Sequence, residues 1–133
     1  MTLFTGFGGT ALGLLMALTV PLSGARADTG SGVAISCKAT IFTDNSTTPL
    51  AIQPTSDGPG HWEYRDDTTG LYISADMPDP DLTTGSTPNW VLMSIQNGNS
   101  GSAANVAFEQ NGTAQLTYTE YSPKKNYVLE CHK

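Results

Sequence analysis

Three aspartates, Asp76, Asp79 and Asp81, fall in one short stretch that also holds Pro78 and Pro80. Carboxylates grouped on a loop are what calcium takes, because it needs about six to eight oxygen ligands at once. The spacing is not that of an EF-hand, since the D-x-D-x-D-G run and the closing glutamate are missing. The plain reading is a solvated acidic connection, with calcium as the alternative occupant held by Asp76, Asp79 and Asp81. Asp66 and Asp67 form a second acidic pair one hairpin earlier. The antiparallel strands between them place the two groups at opposite ends.

Trp90 is the next candidate. Along residues 90–96 the set Val91, Met93 and Ile95 is uniformly apolar and reads as core, so Trp90, Leu92 and Ser94 face outward. An indole held outward suits stacking on a sugar ring or a contact with a protein; the plainer reading is that Trp90 caps a sheet edge or sits under a loop. Trp62 and Tyr64 alternate with His61, Glu63 and Arg65, and that polar opposite face assigns the two aromatics to the core. His61 shares its strand face with Glu63, and a pairing between the two is open. Neither His61 nor His132 belongs to a zinc pattern, and no C-x-x-C is present. The chain has no G-x-S-x-G elbow and no nucleophile placed by its sequence, so the reading is non-catalytic. A small secreted hydrolase working through a carboxylate pair is the remaining enzymatic alternative.

The two cysteines, Cys37 and Cys131, stand near the two ends of the folded part. In an exported chain an isolated pair reads as one disulfide. Export is expected because residues 11–22 form an apolar run of signal-peptide length, too short to span a membrane, followed by Ala25-Arg26-Ala27 as a cleavage pattern. The stretch before that run has no Lys or Arg. Residues 1–27 are thus read as a cleaved signal, 28–32 as a flexible lead and 33–133 as one domain, secreted or periplasmic. The formal net charge of −6 argues against general attraction to nucleic acid or to an anionic membrane. No membrane insertion is expected once the signal is removed.

What must position these residues is a set of short strands. Apolar positions recur with period two, and no long helical stripe is present. Strands are expected over 33–42, 50–53, 61–65, 71–76, 90–96, 104–110, 113–121 and 126–132. Residues 66–70, 77–88, 97–102 and 122–125 read as connections. Asn111-Gly112 is the residue pair of a type I′ turn and predicts a hairpin joining 104–110 to 113–121. Asn45-Ser46-Thr47 and Asn111-Gly112-Thr113 match the N-glycosylation acceptor pattern. The expectation is an all-β, small antiparallel β-sandwich of about seven to eight strands, closed by one disulfide linking the first and last strands. Those strands are either neighbours in a sheet or face each other across the core. The cysteines lack the immunoglobulin surroundings, since Trp62 is far from Cys37 and Leu129 holds the tyrosine position.

The function expected is an exported, non-catalytic binding domain acting through loops or one sheet face. Its partner would be a protein or an envelope or cell-surface component. The alternative is a carbohydrate- or calcium-binding module, centred on Trp90 and the 76–81 loop. No cofactor is called for, apart from calcium in that alternative.

Overall fold

The computed structural model describes residues 33–133. The segments expected to be a signal with its cleavage site (1–27) and a lead (28–32) lie outside the described residues. Nine strands form in order: β1 (Ser36–Phe42), β2 (Thr47–Leu50), β3 (Gln53–Pro54), β4 (His61–Asp66), β5 (Leu71–Asp76), β6 (Trp90–Asn97), β7 (Ser100–Ala107), β8 (Thr113–Tyr121) and β9 (Lys124–His132). They build two antiparallel sheets, one ordered β2-β1-β9-β8 and the other β3-β4-β5-β6-β7. This is the expected all-β sandwich.

The alternation in sequence produces the two-layer packing. Val91, Met93 and Ile95 on β6 are fully buried, as are Ala75 on β5 and Leu129 on β9, while their strand neighbours turn outward. Each of the larger side chains, Val91, Met93, Ile95 and Leu129, contributes about 1.5–3 kcal/mol by leaving water. Trp62 and Tyr64 are half-buried against this core. The Trp62 indole N–H donates to the Ile35 carbonyl at 3.0 Å, tying β4 to the segment leading into β1.

Cys37 and Cys131 are joined, with their Cα atoms 4.1 Å apart. They stand directly opposite each other on neighbouring strands of one sheet, so the bond staples first strand to last within a layer rather than across the core. With the cysteines 94 positions apart in sequence, the chain-entropy relation puts the upper bound of its stabilisation at about 4.7 kcal/mol.

Three connections differ from expectation. The strand expected over 50–53 is two strands in different sheets, β2 and β3, with buried Ile52 anchoring the crossing between them. The expected loop 97–102 is mostly strand. β6 and β7 are joined by the two residues Gly98-Asn99, and Gly98 takes the φ of +60° that such a turn requires. Ser100, Gly101 and Ser102 are small and polar, yet ladder bonding to β6 holds them extended. A Cβ at Gly101 would run into the Ile95 carbonyl oxygen, so glycine here reports close backbone approach rather than a loop.

The third correction concerns Asn111-Gly112. A turn forms, with Gly112 N–H donating to the Glu109 carbonyl at 2.9 Å and Gly112 at φ +78°, but it is not type I′: Asn111 does not take a positive φ, and Gly112 closes the turn instead of standing at its centre. It does not make a hairpin between paired strands, because β7 and β8 belong to different sheets. The chain crosses at Phe108, which is buried and whose N–H donates to the Asn89 carbonyl at 2.9 Å. A buried aromatic outside the strand alternation decides the path here, and the turn residues merely permit it. The last turn, Ser122-Pro123, contains a cis peptide bond.

Candidate functional site

The outer face of the five-stranded sheet gathers the chemistry-bearing residues. Because Ile73 and Ala75 on β5 and Val91, Met93 and Ile95 on β6 point inward, strand alternation turns Tyr72, Ser74, Asp76, Trp90, Leu92, Ser94 and Gln96 outward. β4 adds His61, Glu63 and Arg65, and β7 adds Ala103, Asn105 and Ala107. The register sets these in rows across the sheet. His61 lies opposite Asp76, Asp76 opposite Leu92, and Leu92 opposite Asn105. The next row runs Glu63, Ser74, Ser94 and Ala103.

His61 Nδ1 meets Asp76 Oδ1 at 2.9 Å. Glu63 on its own strand is the partner that same-face spacing offers His61, but the neighbouring strand brings Asp76 directly opposite. Glu63 instead accepts from the Tyr72 hydroxyl at 3.3 Å. Burial raises the Tyr72 pKa above the usual phenol value, and the Glu63 carboxylate adds to the effect. Ser74, flanked by these groups, is the buried polar residue of the face. Trp90 is half-buried opposite Ala107, whose small side chain takes up little room beside the indole. Leu92 beyond it is 42% exposed. Trp90 therefore faces outward, on the side away from the core.

The three aspartates do not act together. Asp76 is engaged with His61. Asp79 is exposed. Asp81 Oδ1 accepts the N–H groups of Thr83 at 2.7 Å and Thr84 at 2.9 Å, and these bonds hold its carboxyl below the ordinary aspartate range. Among the described residues no three His, Cys, Asp or Glu side chains are grouped to hold a metal ion. Asp66 and Asp67 lie at the end of β4 away from His61 and so away from Asp76. His132 is exposed and bonds Glu130 at 2.8 Å.

Two further features were not foreseen. At the end of the sandwich opposite Asp76 a cleft of about 480 Å³ opens between the sheets, walled by Ile41, Leu50, Tyr64 and Leu71. Beside it Asn97 Nδ2 donates to Glu120 Oε1 at 2.5 Å and to the Tyr127 hydroxyl at 3.2 Å. The Tyr127 hydroxyl donates to Glu120 Oε2 at 3.2 Å. These residues come from three separate strands and carry no sequence signal of their meeting. The segment between β5 and β6 closes on itself through Gly85 N–H to Asp81 carbonyl at 2.7 Å and Asp81 N–H to Ser86 carbonyl at 2.9 Å. That turn presents Leu82, which is fully exposed.

No family model matches the chain, and neither the curated proteins nor the solved structures contain a significant match.

Proposed function

We propose that this is an exported, non-catalytic binding domain that takes a polar, hydroxyl-rich ligand, a glycan, on the outer face of its five-stranded sheet. One observation carries the reading: a single open face combines an outward indole with rows of carboxylate, amide, imidazole and hydroxyl groups. Planar carboxylates and amides suit the hydrogen-bonding demands of ring hydroxyls, and the indole supplies a flat apolar surface for the ring itself. The large apolar side chains on this face are only the half-buried Trp90 and the exposed Leu92, with the small Ala103 and Ala107 beside them, a modest apolar area for a protein interface. The disulfide suits an oxidising compartment outside the cytoplasm.

The test uses the two tryptophans of the chain. Trp62 is fixed by its bond to Ile35, so a Trp62→Phe variant leaves Trp90 as the reporter. Titration with a panel of soluble glycans should change its emission saturably, and Trp90→Ala in the parent chain should abolish binding. A silent panel overturns the reading.

A second reading rests on Leu82. Its side chain projects from a self-bonded turn flanked by Asp79 and Asp81, so it is a pre-ordered apolar anchor in an acidic setting, suited to a basic-rimmed pocket on a partner protein. Affinity capture from the native source, compared with Leu82→Asp, tests it. A partner retained equally by both rules it out.

A further inference from the structure

The two sheets have four edges, and these edges differ in how they are protected. An edge strand offers unpaired N–H and C=O groups, a template for another chain unless short length, proline or an inward-pointing charge spoils it. β3 has two residues and ends on Pro54. β2 has four residues and contains Pro49. β8 is long, but Glu120 occupies an inward position and reaches Asn97 and Tyr127. β7, by contrast, has eight residues with no proline and no charge.

Hydrogen-bond parity identifies the free groups. Phe108 N–H donates to the Asn89 carbonyl, one step beyond the β6–β7 ladder. In an antiparallel ladder bonded and non-bonded pairs alternate, so Ser100, Ser102, Ala104 and Val106 bond β6. The N–H and C=O groups of Gly101, Ala103, Asn105 and Ala107 then point away from the sheet, and all four residues are exposed. The intervening side chains Ser102, Ala104 and Val106 point toward the core yet remain only half-buried. β8 of the other sheet runs alongside and covers them only in part.

We infer that the outer flank of β7 is a self-association edge, at which β7 pairs antiparallel with β7 of a second copy to make one continuous ten-stranded sheet. A two-fold axis at Asn105 sets Ala103 opposite Ala107 of the partner subunit and Asn105 opposite its own equivalent. That register gives about six backbone hydrogen bonds. A second copy fits because an isologous contact must be self-complementary. β7 places no like charges together, and the Asn105 amide on the axis both donates and accepts. The small residues Ala103 and Ala107 allow close approach on either side.

Sedimentation velocity over a roughly hundredfold range of concentration reads the equilibrium directly, at ~0.15 M salt so that the chain's net negative charge is screened. The expected result is a concentration-dependent doubling of mass; a monomer throughout overturns the inference. Ala103→Lys, which sets a charge on the exposed edge, should leave a folded monomer whose melting temperature no longer rises with concentration. A dimer that survives this change excludes β7 as the interface. Should that variant fail to fold, hydrogen exchange on the unaltered protein decides the matter. The amides of Ala103, Asn105 and Ala107 should gain protection as concentration rises, and exchange independent of concentration overturns the inference.

Discussion

Two polar clusters, made of similar residue types, lie in the same sandwich, one between the sheets and one on an outer face. Asn97, Glu120 and Tyr127 meet between the sheets, where each side chain is bonded to the other two. His61, Asp76, Glu63 and Tyr72 meet on the outer face as two separate pairs, His61 with Asp76 and Tyr72 with Glu63. In the first cluster the polar groups answer one another, and an unpaired member would sit in partly dry surroundings. In the second, each group keeps bonding capacity toward solvent. Closed polar networks fix a structure, whereas open ones remain free to bind.

The comparison is broken most directly at Asn97. Asn97→Ala removes one donor from both Glu120 and Tyr127 without supplying another. Leaving such groups unsatisfied costs about 1–3 kcal/mol. Asp76→Ala, on the open face, leaves His61 able to bond water and should cost about 0.5 kcal/mol or less. Chemical denaturation of the two variants measures both. Equal losses would show that the two clusters do the same structural work, and the assignment of the outer face to binding would lose its basis.

This contrast also marks what was legible in the chain. Strand alternation carried the inward set Val91, Met93 and Ile95, the outward Trp90 and the disulfide between first and last strands. These rest on period-two patterning and on compartment chemistry, both of which are local or compositional. What escaped depends on which strands become neighbours. His61 meets Asp76 rather than Glu63 because a cross-strand neighbour stands closer than the next same-face residue along a strand. Asn111-Gly112 looks like a hairpin, but buried Phe108 carries the chain to the other sheet. The Asn97–Glu120–Tyr127 network joins strands of both sheets, so nothing short of the full topology reveals it.

A smaller effect sharpens the same comparison through proton binding. Burial pushes the Tyr127 phenol up to about 12, with the neighbouring Glu120 carboxylate adding to the shift. The folded state thus holds this proton more tightly than the unfolded chain, whose phenols titrate near about 10. A raised folded pKa contributes stability that is fully present below the unfolded value. It is lost as pH rises from about 10 through the folded value. Stability should therefore fall over that alkaline window, and Tyr127→Phe should flatten the fall by removing the proton in question. Ultraviolet titration of the five tyrosines should show one ionising late, and the late component should vanish in Tyr127→Phe. Tyr72 is also raised, but it lies on the open face, so Tyr72→Phe should leave the late component in place. If the late component followed Tyr72 instead, the outer face would be the closed cluster and the space between the sheets the open one.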